Sequence, residues 1–296
     1  MRYLLRTTGT ALVVLLMTAG VAVGQTNNSD VTQDGAGNNV DVTQEYVTNG
    51  VTGKNMFTVS QTGDNNDVGL FEQAGAGNEA TITQVGDGNT VAENPQQGFT
   101  ETGSPNSYNG TITVNQYGNN NDVYDVDQQG YNNVAEVDQG GEESTVSGNL
   151  VDIDGQTNGT SGATGNMVDI NQTTSGNAVG TGNSSVRGVR QVGQRNELTI
   201  TQEGAAGSRV GTELSGMYNG KNAIVQDGAD NMATVSQRAG GDHTVKYLIQ
   251  TGNSNDLTID QFGGSGNTAG VVQLNGNNMA DINQNGSNNT ATVTQQ

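Results

Sequence analysis

Between Asn255 and Gln296 the chain repeats one seven-residue pattern four times: Asn, any residue, an apolar residue, any residue, an apolar residue, any residue, Gln. The copies run Asn255 to Gln261, Asn267 to Gln273, Asn278 to Gln284 and Asn289 to Gln295, with starts 12, 11 and 11 residues apart. Two consecutive copies make a period of about 22 or 23, within the range of stacked repeat architectures. Side chains alternate across a strand, so Asn, the two apolar residues and Gln share one face. A lone hairpin of this kind buries too little to offset its ordering entropy. Stacked copies change the balance, because each amide can hydrogen-bond to its equivalent above and below while Ala, Val, Ile and Leu form a thin dry seam. The expected interior is therefore lined with amides.

The same pattern recurs upstream. Asn38 to Gln44, Asn55 to Gln61, Asn78 to Gln84, Asn133 to Gln139, Asn166 to Gln172, Asn196 to Gln202 and Asn231 to Gln237 keep the strict spacing, which makes eleven matches with the terminal four. The Asn and Gln of these eleven units are the expected inward ladder. Asn27-x-Ser29-x-Val31-x-Gln33 is an imperfect copy. Asn66 to Gln73 is slipped, and Asn109 to Gln116 and Asn121 to Gln128 each carry an extra residue. Gly63, Gly75 and Gly86 fall two residues after a Gln, where the chain must turn and positive φ is needed. Between Ala92 and Tyr108 the pattern fails, and both prolines, Pro95 and Pro105, lie there; a loop bulging from the stack is expected. The predicted fold is an all-β solenoid of strand-turn-strand units over residues 25–296. It has roughly 11–12 rungs at a spacing of about 4.8 Å, and irregular loops near 92–108, 140–148, 155–165 and 203–221.

Residues 1–24 differ. Arg2 and Arg6 precede the apolar run Ala11 to Met17, and Ala22 and Gly24 offer small residues where a signal peptidase cuts, which predicts a secretory signal peptide cleaved before Gln25. The apolar run is far shorter than the roughly 20 residues a bilayer span needs, so no membrane insertion of the mature chain is expected. The net charge of −20, made more negative by loss of Arg2 and Arg6, argues against nucleic acid or anionic membrane as partners. There are no cysteines, so an exported chain must hold together without disulfides. With 31% hydrophobic and 4% aromatic residues at this charge, composition alone points to disorder, and only the periodicity overrules it.

No catalytic, cofactor or metal site is expected. His243 is the only histidine, so neither a two-histidine metal spacing nor a Cys–His pair is available. It takes the Asn position of a degenerate unit through Val245 to Ile249, at a corner. The nearest approach to a calcium-binding roll, Gly263-Gly264-x-Gly266-Asn267, has Asn one position early and does not recur. Thr-x-Thr pairs such as Thr199/Thr201 and Thr292/Thr294 do not recur on consecutive rungs as a flat ice-binding face requires. Tyr46, Tyr108, Tyr117, Tyr124 and Tyr131 are candidates for an adhesive rim.

The units resemble curlin repeats, the strand-turn-strand repeats of curli fibre subunits, which are bacterial extracellular functional amyloids of biofilms. The Gln-x-Gly then Asn-x-Ala pattern is visible in Gln273 to Gln284 and in Gln84-x-Gly86-x-x-Asn89. The resemblance covers most of residues 25–296, and is closer to a major subunit than to a nucleator because the last unit is neutral, with no basic residue after Lys246. It implies a β-solenoid, unfolded export through a dedicated outer-membrane channel, a nucleator partner, homopolymerisation outside the cell, and a place in cell adhesion and biofilm. This chain departs from a five-repeat subunit in its length and irregular middle.

Uncapped end rungs expose unpaired N–H and C=O groups. Repeat-like residues close to both ends predict head-to-tail addition through Asn27, Val31 and Gln33 at one end and Asn289, Ala291, Val293 and Gln295 at the other. Outward carboxylates such as Asp41, Glu79, Glu136 and Asp256 are expected either to slow association or simply to solubilise the outside. The alternatives are a non-polymerising secreted solenoid adhesin and an accessory or nucleator subunit.

Overall fold

The structure is a computed structural model of the full chain. It describes residues 13–16, 27–46, 53–92, 107–124, 126, 128–140, 148–153, 155–157, 164–180, 187–213 and 222–296. Ala22 and Gly24, Pro95 and Pro105, and most of the expected loop 92–108 lie outside the described residues.

Every regular element among the described residues is a β-strand, and every pairing between strands is parallel. Ten strands form one sheet, the back sheet: Asn28–Asp34, Met56–Thr62, Glu79–Val85, Thr111–Tyr117, Val134–Gln139, Met167–Gln172, Glu197–Ala206, Met232–Gly241, Asp256–Ser265 and Met279–Asn285. Each pairs in register with the next, and between them the chain crosses to a front sheet and returns. One crossing and return is a rung. Among the described residues the coil therefore has ten rungs, not the 11–12 expected, and a height on the order of 45 Å. The shortfall has a simple cause: several rungs are longer than 23 residues, reaching 35 between Gln202 and Gln237.

The extra length enters in the middle of the front strand in rungs 3, 6 and 7, and at corners in rungs 1 and 5, where Gln44 to Asn55, Gln139 to Asn149 and Gln156 to Asn166 take eleven, ten and ten residues against the five of Gln33 to Asn38. Rungs 1, 9 and 10 cross the front in single strands, Asn39–Tyr46, Thr268–Gln273 and Thr290–Gln295. In rungs 2 and 8 the strands Asp67–Ala76 and Thr244–Asn253 each carry a bulge, with Val40 paired to Val68 but Val42 to Phe71, and a matching shift between Val245 and Leu248. In rungs 3 to 7 the front strand is split in two, as in Asp122–Tyr124 with Gln128–Tyr131, or Arg209–Val210 with Asn222–Ala229. The two halves form separate paths that rejoin at rungs 2 and 8. Two stretches expected as loops belong to this sheet system. Gly155–Thr157 is a front strand paired to Gln128–Tyr131 and Arg187–Gln194, and Glu203 to Ala206 extends the back strand of rung 7.

Within a strand the burial alternates, as in Met56–Thr62 and Glu79–Val85, where every second residue is buried. Phe57, Ala80, Ile112, Ala135, Val168, Leu198, Ala233 and Leu257 make one apolar column of the back sheet. Val59, Ile82, Val114, Val137, Ile170, Ile200, Val235 and Ile259 make a second. The β-branched residues suit this half-buried pleated surface. With their front-sheet counterparts they form one continuous cluster from Val40 to Ile282. A stack of separate rungs becomes a single core because each rung supplies only a slice of it.

The corners explain the glycines. The residue just before most inward Asn has positive φ: Gly77 before Asn78, Asn65 before Asn66, Asp230 before Asn231, Asn288 before Asn289. Only Gly, and to a lesser degree Asn and Asp, adopt this conformation without a large steric cost. Gly63, at φ +107°, has a second reason: a Cβ there would sit 2.2 Å from the Gly86 carbonyl oxygen of the next rung.

Candidate functional site: amide columns and end rungs

The interior amides separate into glutamine and asparagine columns with different chemistry. In the back sheet Gln33, Gln61, Gln84, Gln116, Gln139, Gln172, Gln202, Gln237, Gln261 and Gln284 are joined without a break. Each side-chain Nε2 donates to the Oε1 of the next rung at 2.6–3.0 Å, always toward the higher residue number. From rung 2 on, these Gln also donate across the core to a front-strand backbone carbonyl, as Gln84 does to Asp67 O and Gln237 to Arg209 O. The column thus ties rung to rung and sheet to sheet.

The front column is Gln44 to Gln73, then Gln128, Gln156, Gln191, Gln226, Gln250, Gln273 and Gln295, with the same direction of donation. Among the described residues no amide of rung 3 links its first stretch, ending at Gln73, to its second, beginning at Gln128.

Asparagines behave otherwise. Asn Oδ1 accepts the backbone N–H of the Asn one rung on, as Asn55 does from Asn78, Asn166 from Asn196, Asn231 from Asn255, Asn255 from Asn278 and Asn267 from Asn289. Asn Nδ2 reaches the carbonyl of a corner glycine: Asn38 to Gly63, Asn66 to Gly86, Asn89 to Gly118, Asn231 to Gly252 and Asn267 to Gly286. Sequence reasoning predicts amide-to-amide ladders for both residue types. Gln forms the ladder through side chains alone from rung to rung, whereas Asn combines side-chain links, such as Asn89 to Asn66, Asn196 to Asn166 and Asn255 to Asn231, with bonds to backbone that splint the corners.

Of the amides picked out by strict spacing, Asn38, Gln44, Asn55, Gln61, Asn78, Gln84, Asn133, Gln139, Asn166, Gln172, Asn196, Gln202, Asn231, Gln237, Asn255, Gln261, Asn267, Gln273 and Gln284 are buried. Asn278, Asn289 and Gln295, in the last rung, are half-buried. Strict spacing misses Asn66, Asn89, Asn121, Asn149, Asn177, Gln73, Gln116, Gln156, Gln191, Gln226 and Gln250, all of them buried. The signal that finds most of the missed front-sheet pairs is a seven-residue separation of Asn and Gln, the trace of the front-strand bulge. Asn109 is not in the column; Gly110 holds that position and its N–H bonds Asn78 Oδ1.

His243 interrupts the front Asn column. It is fully buried at a corner, with Nε2 at 3.1 Å from Ala239 O, one rung beyond Ser208, which is also buried. Neither His243 Nδ1 nor Ser208 Oγ has a hydrogen-bond partner. Two of the tyrosines considered for an adhesive rim are not on it: Tyr108 and Tyr131 are buried and stacked, ring centroids 5.0 Å apart, against Ala76.

Outside, carboxylates stack. Glu136 lies beside Asp169 in register, with Asp138 and Glu197 near. Partial burial first, then the neighbouring Asp138 and Asp169 charges, raise the Glu136 pKa; burial, then Asp138 and Glu197, raise that of Asp169. Arg195–Asp230, Arg238–Asp260 and Lys246–Glu213 join adjacent rungs at exposed positions, where such pairs contribute little.

At the ends, Asn27, Val31 and Gln33 are half-buried, as are Asn289, Ala291, Val293 and Gln295. Among the described residues no strand pairs the outer edge of Asn28–Asp34, Met279–Asn285 or Thr290–Gln295. The outer edge of Asn39–Tyr46 is different: Val13–Leu16, inside the stretch expected to be cleaved, pairs with it from Val40 to Thr43. No protein-family model matches this chain, and no curated protein matches it.

Proposed function

We propose that the chain is a structural subunit of an extracellular, curli-like amyloid fibre, polymerising end to end through its first and last rungs. In this reading it is exported to the cell surface, serves a biofilm matrix and cell adhesion, and depends on a secretion channel and a nucleator of the curli type. The observation that carries the reading is the pair of glutamine columns. They run to both end rungs, where the back strand of rung 1 and both strands of rung 10 keep open edges with unspent donors and acceptors, the situation in which parallel in-register stacking extends from one molecule to the next. The outside of the coil is polar and acidic, so the end rungs are where association gains most.

The test is to refold the purified protein from denaturant and follow thioflavin fluorescence, sedimentation and fibre diffraction. The expected outcome is fibres with reflections at about 4.8 Å along the axis and about 10 Å across it. A species that stays monomeric for days without thioflavin signal would instead favour a non-polymerising adhesin.

A further inference from the structure

The two end rungs share a spacing that the inner rungs lack. Rung 1 places its amides at Asn27, Gln33, Asn38 and Gln44, separations of six, five and six; rung 10 places them at Asn278, Gln284, Asn289 and Gln295, again six, five and six. Rung 2 runs six, five, seven from Asn55 to Gln73, rung 8 six, six, seven from Asn231 to Gln250, and rung 9 six, six, six from Asn255 to Gln273. Rung 4 repeats the six, five, seven of rung 2 from Gly110 to Gln128, and rungs 3, 5, 6 and 7 are longer still. Six, five, six is confined to rung 1 and rung 10, which can therefore lie on each other residue for residue, corner included.

Their hydrogen-bonding groups are also complementary. The back glutamine column begins with the Gln33 Oε1 acceptor and ends with Gln284, whose Nε2 has donated one N–H to Thr268 O and carries a second. Gln295 Nε2 stands likewise after donating to Met279 O. The asparagine columns run oppositely: their Oδ1 acceptors face the higher-numbered rung, so rung 10 ends on Asn278 and Asn289 acceptors and rung 1 begins with Asn backbone donors. The two ends are unlike, and each lacks what the other offers.

A third observation concerns the front edge of rung 1. Val13, Val14, Leu15 and Leu16 pair in parallel with Val40, Asp41, Val42 and Thr43. Laying Asn289 on Asn38 puts Ala291, Thr292, Val293 and Thr294 against those same four residues. The chain thus already holds an apolar parallel strand in the place a second copy would use.

Building on the fibre reading, we propose that the assembly contact is rung 10 of one copy on rung 1 of the next, in the register Asn278 on Asn27 and Asn289 on Asn38. Val13–Leu16 occupies the front half of this contact and must leave before a second copy can seat fully. In this register Asp281 comes beside Asp30, both exposed, so the junction carries its own like-charge repulsion.

Disulfide trapping tests the register, because the protein has no cysteine. Thr32 and Asn283 are exposed and fall opposite each other at the junction, but nine strand spacings apart, about 43 Å, within one molecule. Full-length T32C/N283C, oxidised during assembly, is expected to give a ladder of disulfide-linked oligomers. The offset pair D30C/N283C would hold its Cα atoms about 8 Å apart, beyond disulfide reach, and is expected to give at least tenfold less. In a second arm, Val14→Pro removes a donor from the occupying strand and is expected to shorten the lag of full-length protein severalfold. Sedimenting assemblies with equal trapping of both pairs, or none, overturn the junction and leave the fibre reading standing. An unchanged lag for Val14→Pro, with register-specific trapping, overturns the occupying role of Val13–Leu16. Absence of any assembly in all variants and the parent overturns the fibre reading and the junction with it.

Discussion

Gln139 Nε2 donates to Gln172 Oε1 at 3.0 Å although 33 residues separate the two, and both side chains are fully buried. The bond is one link of a ten-member column, and its neighbours depend on it. Gln116 donates to Gln139, and Gln139 also donates to Asp122 O. Buried amides are tolerable only while each has its partners.

Replacing Gln139 by Leu strands the Gln172 acceptor and removes the tie to Asp122. The expected loss is about 2–4 kcal/mol, read as a fall in the denaturant midpoint. Gln295→Leu, half-buried in the last rung, should cost less than about 1 kcal/mol. Equal losses at the two positions would contradict a column whose strength comes from burial.

The corners should be far less forgiving than the strands. Gly86→Ala places a methyl group 1.9 Å from the Gly118 carbonyl oxygen at φ +114°, so rungs 3 and 4 must separate. Soluble yield and strand content by circular dichroism should collapse. Gly148 also has positive φ, at +69°, but nothing lies within 4 Å of its Cβ position. Gly148→Ala should cost only about 1 kcal/mol.

The Ser208–His243 interruption leaves two buried polar atoms unpaired. S208N/H243N restores the Asn column across rungs 7 and 8, and should raise the unfolding midpoint by about 1–2 kcal/mol in free energy. A lower midpoint would show that imidazole packing outweighs the restored amide bonds.

Glu136 and Asp169 give the stability a pH dependence of predictable sign. Their pKa values are raised in the folded state, so the unfolded chain ionises first as pH rises. Their contribution is fully present below the ordinary carboxylate values of 4.5 and 3.8, and is lost as pH climbs through the raised folded values. The thermal midpoint should therefore increase as pH falls from 7 toward 4.5, and E136Q/D169N should flatten that slope. An identical slope in the variant would place the pH dependence elsewhere.

Parity and spacing make the back sheet readable. In Asn55 to Gln61 or Asn231 to Gln237, period two decides which face is buried, and nothing in the rest of the chain disturbs it. The front sheet is harder to read because it is where the chain accommodates additional residues. One residue inserted between Val68 and Phe71 shifts the parity of the remaining strand, yet the bulge returns Gln73 to the column beside Gln44. Gln191 and Gln226 are found only through the rungs on either side, since their place depends on pairing partners 24 to 35 residues away. The second role of Asn escapes a spacing argument for a different reason: a side chain one methylene shorter than Gln lies within reach of the backbone at the corner as well as of its counterpart, as Asn231 does with Gly252 O and Asn196 Oδ1.

The split front strand has one more implication. From inward Asn, or Ser, to inward Gln the front crossing takes six residues at Asn267 to Gln273, seven at Asn149 to Gln156 and eighteen at Ser208 to Gln226. The back sheet passes all three rungs with its register intact. A longer front crossing adds no height, so a foreign peptide spliced after Val210 is expected to leave the stacking of the coil untouched.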